Sequence, residues 1–287
     1  MYTIEKIKQR YSQQDVQSFI ENFMKQENPR YDSFDYCYGY FQNNKQNLTK
    51  DMEKSCMALW SYLASWGMLR GSSVLLQKGN YKVLENTINV IQDCFDDKKE
   101  LPKIKYDSRQ DYVDKVDKLF TKIKNSIKLD KDKQYNPSNT LVTKIILGVF
   151  GEFPALDQYF CKTFGDGKII KYYAGVVYDF FKVPLYHNVI QNISRNKKVK
   201  LFDGQTSQLE YPFPKLIDMF GFTLGSMVQG KKGKITINNC CERTIVIGEQ
   251  RYNGKTNDIP MEPGKYRVEV LFQNDIPMVW DKVEVKK

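Results

Sequence analysis

The sequence contains a single histidine, His187. A catalytic triad or metal centre built on imidazole therefore has one candidate and no second ring to complete it, so His187 reads as structural. Six cysteines (Cys37, Cys56, Cys94, Cys161, Cys240 and Cys241) form no CxxC pair and no zinc spacing with that histidine. Cys240 and Cys241 are adjacent, a poor geometry for joint ligation. No GxxxxGK[ST], GxGxxG or HExxH stretch occurs, and Phe164-Gly165-Asp166-Gly167-Lys168 is too short for a phosphate loop and reads as a turn. These absences argue against nucleotide hydrolysis and metal catalysis, and neither a metal nor a cofactor is expected. No run approaches the roughly 18 apolar residues of a membrane helix. The start, MYTIEKIKQRYS, is charged and lacks the apolar centre of a signal peptide. The expectation is a reduced, cytoplasmic protein with no membrane partner.

Aromatic residues are abundant: 19 Tyr and 17 Phe against 3 Trp. Buried Tyr must find hydrogen-bond partners and exposed Tyr can stack on ligands, although an AT-rich coding composition produces the same bias. The net charge of +10 permits binding to a polyanion through phosphate contacts and counterion release. The lysines are spread out, however, often beside Asp or Glu as in Asp130-Lys131-Asp132-Lys133, which is the pattern of a solvated face.

Along the chain, residues 3–26 read as one or two amphipathic helices and FDYCYGYFQNN (34–44) as a further, aromatic-rich one. Asp51 to Leu69 is apolar around most of its circumference, which marks a central helix, with Gly71 as its stop. Arg70 with Ser72 or Ser73 can hold a phosphate at a helix start, or Arg70 can simply meet the helix dipole. Further helices are expected over Tyr81–Cys94, Arg109–Lys128, up to Phe181, from Pro184, and over Pro212–Gly225, with a polar connection around residues 199–211. Beyond Gly230 the pattern changes to β-branched runs at Lys234–Asn238, Thr244–Gly248, Lys265–Phe272 and Val279–Lys286. The fold class is therefore mainly α followed by a small C-terminal Ig-like or PEGA-like β-sandwich. That is α+β overall, in two domains, 1–227 and 228–287.

The stretch Asn139 to Phe164, NTLVTKIILGVFGEFPALDQYFCKTF, organises the rest. Ser138 or Asn139 caps an apolar helix, a Gly-bounded corner follows, and Pro154 opens a second helix with Asp157 near its start. Asp157 stands among Pro154, Ala155, Leu156, Tyr159 and Phe160, an ionisable group surrounded by apolar ones. An Asp there also satisfies the first free N–H groups of a helix. Lys144 reads either as an amine whose pKa burial depresses, or as a surface lysine whose stem covers apolar neighbours. Asp218 reads as a helix surface residue.

Three stretches, VTKIILGVFGEFPALDQYF (142–160), YLASWGMLRGSSVLL (62–76) and KLIDMFGFTLG (215–225), resemble remotely a bacterial branch of the helix-hairpin-helix DNA glycosylase superfamily. The resemblance implies a multi-helix orthogonal bundle in which a Lys-bearing helix, an apolar corner and a carboxylate form the catalytic segment. Lys144 and Asp157 are then the catalytic pair. Two departures stand out. The Leu-Pro-Gly-x-Gly hairpin that grips phosphate is replaced by Pro137-Ser138-Asn139, and the interval from Lys144 to Asp157 is shorter than usual.

Two functions follow. In the first, the chain is a DNA-binding N-glycosylase acting on an unusual or modified base, for instance in phage DNA. Tyr38, Tyr40, Trp60 and Trp66 then sandwich a flipped base, while Arg70 and Ser72 contact the backbone. In the second, it is a non-enzymatic helical scaffold whose β-domain docks a protein partner.

Overall fold

The computed structural model describes residues 4–26, 29–71, 73–97, 100–129, 135–165, 169–238, 243–253 and 258–286. Helices lead and small antiparallel sheets follow. The helices are α1 (Ile4–Arg10), α2 (Gln13–Lys25), α3 (Pro29–Asn44), α4 (Met52–Ser65), α5 (Val74–Lys78), α6 (Glu85–Asp96), α7 (Arg109–Ser126), α8 (Asn139–Phe150), α9 (Gln158–Phe164), α10 (Ile170–Lys182), α11 (Pro184–Asn196) and α12 (Phe213–Gly225). Among the described residues no helix is long and apolar enough to cross a membrane.

The chain divides into two compact units. The helical unit comprises residues 27–157 and 167–218. At its centre lies α8, in which every residue from Leu141 to Phe150 is buried. Helices α3, α4 and α7 pack around it. An antiparallel hairpin, β1 (Lys198–Lys200) with β2 (Thr206–Glu210), occupies the stretch read from the sequence only as a polar connection. Its strands are short and polar, so no apolar alternation announces them. The hairpin is tied to α3, where the Asp35 carboxylate accepts the Lys200 N–H (2.8 Å) and the Tyr211 hydroxyl (2.6 Å).

The other unit comprises residues 1–26, 158–166 and 219–287, so the strand-rich tail shares it with α1, α2 and α9. One sheet has the order β3 (Val228–Lys231), β4 (Lys234–Ile237), β7 (Asp258–Pro260). A second has the order β6 (Gln250–Asn253), β5 (Thr244–Ile247), β8 (Gly264–Leu271), β9 (Pro277–Val285). Register places Ile245 opposite Val270 and Ile247 opposite Val268, and all four side chains are buried on one face. Tyr11 meets the Phe220 and Phe272 rings edge-on, and Arg243 pairs with Asp15 of α2.

Two helix boundaries differ from expectation, each for a local reason. Helix α4 stops at Ser65 because Gly67 adopts a left-handed conformation (φ +72°), four residues before Gly71. Helix α9 begins at Gln158, so Pro154 to Asp157 form a non-helical strap and Asp157 directly precedes the helix.

Candidate functional site

The site is built on the middle of α8. Ser138 caps the helix by accepting the Leu141 N–H (3.2 Å). The other end closes on Gly151 (φ +67°), whose N–H reaches the Ile146 and Leu147 carbonyls. Between them Thr140, Thr143 and Lys144 share one face, at helical spacings of three and four.

That face holds the strap in place. Thr140 Oγ1 donates to the Leu156 carbonyl (2.8 Å), and Thr143 Oγ1 accepts the Leu156 N–H (2.9 Å). From α12, Asp218 Oδ1 accepts the Ala155 N–H (3.1 Å). Strapped on both sides, the segment delivers Asp157 Oδ2 to 3.4 Å from Lys144 Nζ. A second pair adjoins, Lys215 Nζ to Asp218 Oδ2 at 2.9 Å. Side-chain exposures are 5% for Lys144, 2% for Lys215, 8% for Asp218 and 16% for Asp157, so Asp157 is the most accessible member.

Two ammonium and two carboxylate groups balance in charge, which is how buried ions avoid the full desolvation penalty. Aromatic faces supply the rest. Lys144 Nζ lies 4.4 Å from the Trp66 ring centroid, while Lys215 Nζ lies 5.5 Å from Trp66 and 4.8 Å from Phe34. Tyr62 is packed so tightly onto α8 that a Cβ on Gly148 would come within 2.4 Å of its ring. Glycine there is what lets α4 approach.

Burial holds the Lys144 amine below its ordinary pKa, against the pull of Asp157 and Asp218, and the neighbouring Lys215 charge lowers it further. Burial, with the Asp218 and Asp157 charges adding to it, pushes the Tyr62 phenol well above its usual range. An amine that sheds its proton more readily, at 3.4 Å from a carboxylate, is the ingredient set of nucleophilic amine chemistry and of cation stabilisation. Among the described residues no group of three or more His, Cys, Asp or Glu side chains could hold a metal ion.

Of the residues singled out in the sequence, the fold brings together Lys144, Asp157 and Trp66. Lys144 is a buried ion partner, not a surface lysine. Trp66 is itself covered, with Tyr31 stacked on it at 5.7 Å and the Arg30 guanidinium at 4.7 Å. Tyr38 stacks on Phe34 (5.4 Å) and lies toward the C-terminal end of α8. Tyr40 bonds Ser55 Oγ (2.9 Å), and Trp60 is half-buried on α4, six positions before Trp66. Arg70 is exposed, donates to the Gly67 carbonyl (3.0 Å), and borders a separate cleft with Ser73, Asn136 and Ser138. Ser72 lies outside the described residues, as do Cys240 and Cys241. His187 is half-buried against Phe181, and burial, then the Lys182 charge, keeps its pKa below the ordinary value.

Lys215, Asp218 and Tyr62 were missed as site residues. Asp218 is buried, not a helix-surface residue. The signal was present in PFPKLIDMFGFTLG, where the only two charges of an apolar helix stand three apart, on one face. Compared with known proteins, the chain matches no protein-family model, no curated protein and no solved structure.

Proposed function

We propose that the chain is a DNA-binding enzyme that cleaves an N-glycosidic bond, with Asp157 and Lys144 as its reacting pair. The observation that supports this reading is the meeting of a desolvated amine and a carboxylate at 3.4 Å against the Trp66 ring. Breaking the bond from C1′ to the base nitrogen builds positive charge on the sugar, and the Asp157 carboxylate stabilises it. Two nucleophiles are available. Asp157 can orient a water, or the neutral Lys144 amine can attack C1′. In the second route the amine nitrogen bonds C1′ and the base leaves with the electrons of the glycosidic bond. Asp157 relays the amine proton toward the departing base. The C1′–O4′ bond then breaks, O4′ takes up the nitrogen's remaining proton, and the C1′ imine that borohydride reduces is left. A bundle of the glycosylase kind, a β-sandwich tail and an unusual or modified base as substrate, such as one in phage DNA, belong to the same proposal. The missing Gly-rich hairpin before α8 is the reason to look beyond ordinary lesions.

The test begins with retention of the purified protein on duplex and single-stranded DNA across a salt series, which should fall steeply with salt. Oligonucleotides bearing modified bases should then yield abasic sites, and borohydride should trap a covalent adduct if Lys144 is the nucleophile. Asp157→Asn should lower excision about 100-fold or more, the scale of losing one transition-state stabiliser. Lys144→Gln should abolish trapping. Unchanged excision by Asp157→Asn, or indifference to DNA at low salt, defeats the proposal.

One observation favours a second reading, a scaffold that binds a protein. Asp218 is committed to Lys215 and to the Ala155 N–H, so half of the cluster serves the fold. Among the described residues strand β6 is an edge of its sheet with mostly exposed residues, the kind of edge to which a partner strand can add. Absence of DNA retention, together with a partner captured through β6, would establish this reading over the first.

A further inference from the structure

A cleft of about 310 Å³ opens beside the C-terminal end of α8, within the helical unit and about two helical turns from Lys144. It owes its position to Gly151. A side chain there would collide with Pro212 (2.5 Å) and Tyr38 (2.9 Å), so the chain turns at this glycine and carries Glu152 into the cleft. The volume sits at the lower end of ligand-sized pockets.

The lining is a particular combination. Tyr38, Tyr106 and Phe213 supply rings, Lys103 and Lys105 supply positive charge, and Glu152 and Glu210 supply carboxylates, the latter half-exposed and paired with Lys198 at 3.0 Å. The Lys105 ammonium lies 5.5 Å from the Tyr106 ring and 5.9 Å from the Phe213 ring. Tyr106 is 78% exposed, a large ring held in water at the mouth of the cleft. Glu152 is only 14% exposed and pairs with Lys103, while Tyr112 fixes its backbone by donating to its carbonyl (2.9 Å). Burial raises the Glu152 carboxyl to about 7 despite the Lys103 charge, so its charge is costly and a ligand that donates to it is favoured.

Each part of the lining selects a part of a ligand. The exposed Tyr106 ring next to the Lys105 ammonium accepts a planar heterocycle by stacking, while Phe213 is half-buried and stacked on Phe181. Two lysines at one cleft accept a phosphate. A desolvated carboxylate accepts adjacent N–H donors, such as the two on the Watson–Crick edge of guanine. We propose that this cleft binds a nucleotide, with its base against the Tyr106 ring, its phosphate on Lys103 and Lys105, and its donor edge on Glu152. The site is distinct from the Lys144–Asp157 pair and does not depend on the reaction proposed there. The same chemistry is offered by a free mononucleotide and by the terminal nucleotide of a strand.

Calorimetric titration of the full chain with dGMP, dAMP, dCMP, dTMP, inorganic phosphate and a short single-stranded oligonucleotide tests this. Binding of dGMP is expected in the submillimolar range, ahead of dTMP and far ahead of phosphate. Lys105→Ala and Tyr106→Ala, both at exposed positions that leave the fold intact, should each weaken it 10-fold or more. Asp157→Asn should leave it unchanged, which separates this site from the proposed reaction. Tighter binding of the oligonucleotide than of dGMP, with the same sensitivity to the two variants, assigns the cleft to a strand end; the reverse assigns it to a free nucleotide. No binding of any nucleotide at millimolar concentration overturns the proposal. So does binding matched by inorganic phosphate, or binding indifferent to both variants.

Discussion

The helical unit carries a lysine–carboxylate pair at each of two places along α8, and they differ in which partner is dry. At the middle of the helix the amine of Lys144 is the more buried partner, 5% exposed against 16% for Asp157. Past its C-terminal end the roles reverse, with Lys103 40% exposed and Glu152 14%. Desolvation therefore falls on the base in one pair and on the acid in the other. It lowers the Lys144 pKa in the first case and raises that of Glu152 to about 7 in the second. Similar residue types yield an amine that gives up its proton more readily in one place and a carboxyl that keeps its proton to higher pH in the other.

The comparison breaks most easily at Lys215. Its replacement by Ala leaves Asp218 buried and unpaired, and should destabilise the protein by about 3–5 kcal/mol in a denaturant titration. Lys103→Ala should cost on the order of 1 kcal/mol or less, because that lysine is partly solvated and Glu152 can take up a proton instead. Equal losses would mean that the buried charge cluster around Lys144, to which Lys215–Asp218 belongs, and the Lys103–Glu152 pair are not energetically different.

The pH dependence sharpens the contrast, because the signs oppose. A carboxyl whose folded pKa lies above its unfolded value of 4.5 contributes stability in full below 4.5 and loses it as pH climbs to about 7. The loss is on the order of 3 kcal/mol across that window. Glu152→Gln should flatten this fall while Lys103 and Asp107, the charges facing it, remain. Lys144 acts the other way. Its lowered folded pKa makes stability rise with pH up to the ordinary lysine value of 10.5, and Lys144→Met should remove that alkaline rise.

A smaller effect is expected at the strap. Thr143→Val leaves the Leu156 N–H without its acceptor and should cost about 1–3 kcal/mol. It should also loosen the placement of Asp157, so that any activity falls further than stability alone explains. The smallest change belongs to an exposed pair. Lys171→Ala removes a 3.4 Å contact to Asp114 between half-exposed side chains, and the unfolding midpoint should not move.

Much of the helical framework was legible because its signals are local. Ser138 or Asn139 reads as a cap, and the structure selects Ser138. Pro184 as a helix start and the stretch after residue 139 as an apolar helix both hold in the structure. The edges that misled were local too, but they depended on one backbone angle. Gly71 reads as the stop of α4 in the sequence, and the fold places the stop at Gly67 instead. The short strands β3, β6 and β7 and the β1–β2 hairpin carry too few residues for alternation to show. Within the site, Lys144 and Asp157 stood out because each interrupts an apolar run. Lys215 and Asp218 interrupt one as well, yet their meaning depends on what faces them.

By itself, then, the sequence determined the order of helices before strands and the burial of α8. It also determined which charged residues have to be accommodated in apolar surroundings, since periodicity and capping act over a few residues. Only the tertiary structure decided how those charges are accommodated. The Thr140–Thr143 strap, the Ala155–Asp218 bond and the approach of Tyr62 over Gly148 join residues far apart in the chain. Desolvation depends on everything that surrounds a group at once, so whether a lysine becomes an ion partner, a nucleophile or a solvated side chain is settled only when those segments meet.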